Sequence, residues 1–242
     1  LLTLPKNSLK VTRHKAAEAE LLKKLRDVLG ANEREGIHAS DLLDPRQSFW
    51  RMKDPRELDE REVGFFIIGR VLHEIVLAHQ DGESDLPTQV HPELGIHYSI
   101  DSLDAAGNPV ELKTSRAKFE MKKVSEIDNY IEQLLAYMAA SGRTEGRIDV
   151  LHLSLLDNPQ YSQRTSPAVR SYKVVVSEAD LKQFKTELQA TSNALKTALS
   201  NDDPSELPLC RTWKCGYGNC KWWTKCKPPG RHGKKNKKDW TA

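Results

Sequence analysis

The stretch that decides the fold runs from residue 95 to residue 114, GIHYSIDSLDAAGNPVELKT. Residues 95–103 and 109–114 both favour extended chain. Between them lie Asp104, Gly107 and Asn108, residue types that turn a chain by accepting left-handed backbone or by bonding to it through short side chains. The reading is a β-hairpin. Alternation then puts Glu111 and Lys113 on one face of the second strand and Leu112 on the other. Asp101 falls on the first strand, within reach of Glu111 across the hairpin.

Outward from the hairpin the period becomes helical. Residues 61–79 read as an amphipathic helix, with Val63, Ile67, Val71, Ile75 and Leu77 on the apolar side. That helix carries Gly69 and, one turn on, His73. Residues 125–140 read as a second helix opening on a Ser125/Asp128 capping pair, with Leu134, Leu135 and Met138 inward. On it Gln133 and Tyr137 share one face. Strands follow over 148–156 and 169–176, then a long helix over 177–199 capped by Ser177 with Asp180 three residues on. Upstream, residues 14–29 form a helix that Gly30 stops, Ser40 is a cap candidate, and Asp44-Pro45 and Asp54-Pro55 mark turns. The order helix, hairpin, helix, strand, strand, helix is α/β. It predicts a mixed central sheet of four or five strands flanked by helices.

The chain has 242 residues, 38% hydrophobic and 29% charged, enough for a real core. No apolar run approaches the roughly 20 residues that a membrane helix needs. No signal-peptide pattern opens the sequence, so a cytoplasmic location with no membrane partner is expected. The net charge of +3 hides a split. Residues 207–242 hold ten basic residues and one acid, Asp239, while the rest holds 27 basic against 33 acidic. A basic end on an acidic body points to a face that meets a polyanion.

Two carboxylates as close as Asp101 and Glu111 repel unless a cation sits between them. Oxygen donors suit Mg²⁺ or Mn²⁺, and the imidazole of His73 tilts the choice towards Mn²⁺. Lys113 would then stand beside the metal, able to orient a water or meet a phosphate.

The order G-x-x-x-H (Gly69, His73), D (Asp101), E-x-K (Glu111, Lys113) and Q-x-x-x-Y (Gln133, Tyr137) resembles the RecB-like branch of the PD-(D/E)XK nucleases, including the CRISPR-associated and phage iron–sulfur exonucleases. The resemblance spans about residues 40–155. It implies a restriction-endonuclease-like core that hydrolyses DNA phosphodiester bonds with a divalent metal. His73, Asp101 and Glu111 would bind the metal, Lys113 would assist the attacking water, and Gln133 and Tyr137 would shape the nucleic-acid site. DNA with free ends or in single strands is the expected substrate, and exonuclease action is expected over endonuclease action. CRISPR, phage or recombination processing is the expected setting, with a larger DNA-processing complex as a further partner.

The four cysteines, Cys210, Cys215, Cys220 and Cys226, lie together near the C-terminus. Their crowding points to a metal site, either an iron–sulfur cluster or zinc, although the paired C-x2-C knuckles that zinc favours are missing. The resemblance implies a [4Fe–4S] cluster, with Zn²⁺ the alternative. Relatives of that type place the first ligand upstream of the metal-binding His. Residues 40–50 contain no Cys here, so Cys210 takes that role and the cluster is expected to be local. Trp213, Tyr217, Trp222 and Trp223 among basic residues either stack on unpaired bases or shield the cluster.

The expected organisation is a helical lead-in over 1–36, the nuclease core over 37–200, the cysteine segment over 207–228 and a basic tail over 229–242. The competing reading is a non-catalytic nucleic-acid-binding subunit that works through the metallocluster and the basic end.

Overall fold

The computed structural model describes residues 15–30, 34–78, 86–116, 128–156, 165–210, 215 and 220–226. Ser125, Trp213, Tyr217 and the basic tail lie outside the described residues. The chain divides into two compact units, residues 1–34 with 57–71, and residues 35–56 with 72–242.

In the first unit, α1 (Lys15–Gly30) and the opening of α3 (Glu60–Leu77) are tied through side chains. Arg26 donates to the Leu58 carbonyl at 3.0 Å, and Arg70 donates to the Val28 carbonyl at 3.2 Å. Asp59 and Glu62 cap the start of α3 reciprocally, each carboxylate accepting from the other's backbone N–H at 2.9 Å. The helix is where the sequence predicts it, but its apolar stripe is not buried. Val63 is buried, whereas Phe66, Ile68 and Val71 are exposed, as is Ile75 further along. Apolar spacing reports which residues share a face and not whether anything covers it.

The second unit holds the sheet. Its order is β3-β4-β5-β6, with β3 (Ser102–Leu103), β4 (Pro109–Ser115), β5 (Glu145–Leu156) and β6 (Thr165–Val175). β4 and β5 are parallel and the other pairs antiparallel, so the sheet is mixed. A separate two-stranded sheet joins β1 (Gln89–His91) to β2 (Ile96–Tyr98). The strand predicted over 95–103 is therefore broken. Its first part pairs with β1 and its last two residues pair with β4, because Asp101 turns its carboxylate back onto the Leu112 N–H. The turn between β3 and β4 forms as the composition predicts. Asp104 accepts from the Ala106 and Asn108 N–H groups, and Gly107 takes φ +76°, where a side chain would be strained.

The parallel β4–β5 pair needs a crossover, and α4 (Asp128–Ser141) lies between them in the chain. Leu134 and Met138 are fully buried. Gly146 on β5 permits the close approach of Leu134: a Cβ there would stand 3.0 Å from a Leu134 methyl and 3.1 Å from the Pro109 carbonyl. Along β5, Ile148, Val150 and His152 face the core at period two. The long α5 (Glu178–Asn201) starts at Ser177, whose hydroxyl accepts from the Asp180 N–H, and buries Leu181, Leu188 and Leu195. Asp44-Pro45 opens a helix where the sequence reading places a turn. Pro45 is the first residue of α2 (Pro45–Lys53), a position that costs it nothing because the N–H there has no helical partner.

Candidate active site

The site grows from an exposed edge. β3 is so short that it pairs with β4 only at Pro109 and Val110, which leaves the Leu112 peptide without a strand partner on that side. Two side chains take the place of the missing strand. Asp101 accepts from the Leu112 N–H at 2.7 Å, and His73, from α3, bonds the Leu112 carbonyl through Nε2 at 2.7 Å. The two side chains then face one another, Nε2 to Oδ2, at 3.7 Å.

The sheet face holds the rest. Glu111 and Lys113, two apart on β4, point the same way and form an ion pair. Lys113 also donates to Gln133 Oε1 at 3.0 Å and lies 5.7 Å from the centre of the Tyr130 ring. Gln133 in turn donates to the Tyr137 hydroxyl at 2.8 Å. A continuous polar line thus runs Glu111, Lys113, Gln133, Tyr137 along one wall. Gln133 and Tyr137 reach it because they sit one turn apart on the helix that crosses the sheet.

Electrostatics set Glu111 apart. Its side chain is 1% exposed, Oε1 is paired with Lys113, and Oε2 is buried with no hydrogen-bond partner among the described residues. Burial pushes its carboxyl up to about 8, Lys113 opposing this and the Asp101 charge adding to it. Burial also raises Asp101, against the pull of His73 and Lys113. Lys113 stays above the usual lysine range: burial works against its charge, and Glu111, Asp101 and Tyr130 together outweigh burial. Two neighbouring carboxylates, one of them paired with a lysine through one oxygen, are chemically suited to a divalent cation. Among the described residues, no group of three or more His, Cys, Asp and Glu side chains stands in metal-holding geometry. In this arrangement His73 gives its Nε2 to the Leu112 carbonyl instead.

The cysteines lie elsewhere in the second unit. Cys210, Cys215, Cys220 and Cys226 line one small cavity, together with Arg46, Gln47 and Trp50 of α2 and with Trp223. The segment is anchored to α2 from both sides. Buried Arg46 donates to the Leu207 carbonyl at 3.0 Å and the Ser205 carbonyl at 2.5 Å, while Trp222 donates to the Asp54 carbonyl at 3.2 Å. Lys225 pairs with Asp54 at 2.6 Å, and Arg56 lies over the Trp222 ring. α2 forms one wall of the cysteine cavity, although it contributes no cysteine. Trp222 is buried in these contacts, so base stacking does not suit it. The Gln47 N–H bonds the Cys210 sulfur and the Trp222 N–H bonds the Cys220 sulfur; burial raises both thiols, Cys210 to about 11. Backbone N–H groups aimed at sulfur are a setting suited to thiolate ligands. Arg46, Gln47, Trp50 and Tyr130 were not legible as site residues, since nothing in their spacing separates them from ordinary helix positions.

The sequence matches no protein-family model, and no curated protein matches it. Among solved structures, the crystal structure of SSO0001 is similar over 86% of this chain and 95% of its own, at 17% identity and a TM-score of 0.52, which is a likeness of fold. An alkaline exonuclease from Laribacter hongkongensis is similar over 68% of this chain and 90% of its own, at 17% identity and a TM-score of 0.42. A phage-related exonuclease from Haemophilus somnus 129PT is similar over 78% of this chain and 82% of its own, at 13% identity and a TM-score of 0.38.

Proposed function

We propose that the protein is a divalent-metal-dependent nuclease that hydrolyses DNA phosphodiester bonds, with Asp101, Glu111 and Lys113 at its centre. The observation that carries the reading is Glu111: a fully buried carboxylate with one oxygen on Lys113, the other without a partner, and a second carboxylate beside it. A buried carboxylate oxygen ordinarily finds a hydrogen-bond partner.

Asp101 and Glu111 would hold Mg²⁺ or Mn²⁺, and His73 would join them on releasing the Leu112 carbonyl. When bound, such a cation neutralises phosphate charge and lowers the pKa of a water. Lys113, held in place by Glu111 and Gln133, keeps an ammonium at the edge of the site, where it orients the attacking water and meets the charge that builds on phosphorus. The water gives up a proton to solvent as its oxygen bonds to phosphorus, the P–O bond to the leaving nucleotide breaks, and the departing oxygen takes a proton from solvent. Gln133 and Tyr137 hold the Lys113 side of the wall against the incoming strand. Exonuclease action on single strands or free ends is the finer form of this reading.

The four cysteines would hold a [4Fe–4S] cluster, with zinc the alternative. The test is cleavage of labelled single- and double-stranded DNA with Mg²⁺, with Mn²⁺ and with EDTA. Metal-dependent cleavage that Glu111→Gln abolishes is expected, and cleavage in EDTA equal to that with metal would overturn the proposal.

A further inference from the structure

Trp50 occupies an unusual position. It lies in the last turns of α2, and its ring forms part of the cavity that the four cysteines line. Its indole Nε1 is shut away from solvent and has no hydrogen-bond partner among the described residues. A buried indole N–H ordinarily finds an acceptor, and leaving one without is destabilising. Phe49 packs edge-on against the ring, centroids 5.3 Å apart. The other polar groups of α2 at this wall are committed: the Arg46 guanidinium to the Leu207 and Ser205 carbonyls, and the Gln47 N–H to the Cys210 sulfur. The cavity holds four cysteine sulfurs, none within bonding reach of the Trp50 N–H as they stand, and a neutral thiol is a weak acceptor. A metal-bound thiolate or a cluster sulfide carries negative charge and is a strong one.

We infer that Trp50 donates its indole N–H to a sulfur of the metal group held by Cys210, Cys215, Cys220 and Cys226, and that this bond tunes the group's affinity for electrons or for metal. The inference rests on the reading of the four cysteines as a metallocluster site. Trp50 is a positioning residue, because it acts through sulfur rather than on DNA. An N–H directed at sulfur withdraws negative charge from it. It favours the more reduced, more negative state of an iron–sulfur cluster and raises its reduction potential. The same bond steadies a thiolate on zinc.

The test compares the full chain with Trp50→Phe, which keeps an aromatic ring against Phe49 and removes only the donor. Both are loaded anaerobically with iron and sulfide, and the midpoint potential is read by redox titration against visible absorbance. The expected result is equal iron content with a lower potential in Trp50→Phe, and equal potentials would overturn the inference. If the chain takes zinc and no iron, the readout is zinc release to a chelator. Release several-fold faster from Trp50→Phe is then expected, and equal rates would overturn the inference. If Trp50→Phe does not fold, the wild-type chain carries the test through its ¹⁵N-labelled indole. The Trp50 N–H signal of the zinc-loaded chain should move downfield and exchange slowly, and a signal unchanged by metal would overturn the inference. A wild-type chain that binds neither metal removes the metallocluster reading itself, and the inference with it. That outcome is distinct from a loaded protein indifferent to Trp50.

Discussion

Replacing Lys113 with Met keeps the apolar stem and removes the charge. The structure sets the size of the effect. Lys113 is 23% exposed and lies on the same wall as the buried Glu111 carboxylate. Two unit charges about 4 Å apart interact by about 4 kcal/mol at the effective dielectric of a protein site and by about 1 kcal/mol in water. A largely buried ammonium sits nearer the first figure. At 1.36 kcal/mol per decade, its loss lowers the cleavage step by about 10²- to 10³-fold. The assay is single-turnover cleavage of end-labelled DNA at saturating Mn²⁺, with metal affinity measured separately by calorimetry. Because the substitution also strips Glu111 of its ion pair, a melting curve accompanies it, and Lys113→Arg serves as the charge-retaining control. Folded Lys113→Met protein that cleaves within about threefold of the wild-type rate would refute the electrostatic role. A collapse of metal affinity at unchanged intrinsic rate would make Lys113 a support for the carboxylates instead.

Asp101 does two things that substitution separates. Asp101→Asn keeps an acceptor for the Leu112 N–H, so melting should stay close to wild type while Mn²⁺-dependent cleavage is lost; Asp101→Ala should also lower stability by about 1–3 kcal/mol, read by denaturant titration. Gly146→Ala should destabilise by about 1–3 kcal/mol, because its Cβ would press on Leu134 and the Pro109 carbonyl, and the melting temperature should fall by roughly 3–10 °C. Cys215→Ser should reduce bound iron or zinc in elemental analysis and make residues 203–226 sensitive to protease, while metal-dependent cleavage survives because Asp101 and Glu111 lie on other elements.

Much of the site was legible because strand and helix periods are rigid rules. Alternation alone places Glu111 and Lys113 on one face, and a four-residue step places Gln133 beside Tyr137, as the hydrogen bonds between them require. The hairpin turn was legible from Asp104, Gly107 and Asn108. The break at Asp101 was not, because it depends on a peptide eleven residues away that lacks a strand partner. Nor was the burial of the α3 stripe, which spacing predicts and Val71 and Ile75 contradict. The role of α2 was hidden for a different reason. Arg46 and Trp50 acquire meaning only from residues more than 150 positions downstream, and no local pattern records such a contact.

That distance has a kinetic consequence. Arg46 and Leu207 are 161 residues apart, and Asp54 and Trp222 are 168 apart. Closing such a loop costs about 2.5–3 kcal/mol more chain entropy than closing the β3–β4 hairpin, since the cost grows with the logarithm of the separation. At roughly 5–20 residues per second of synthesis, α2 waits about 8–30 s on the ribosome before its docking partners exist. The sheet, with its nearer pairings, has time to assemble first. Attachment of the cysteine segment is then a late folding event, and the rate of metal uptake should follow the rate of that final docking rather than the rate at which the sheet forms.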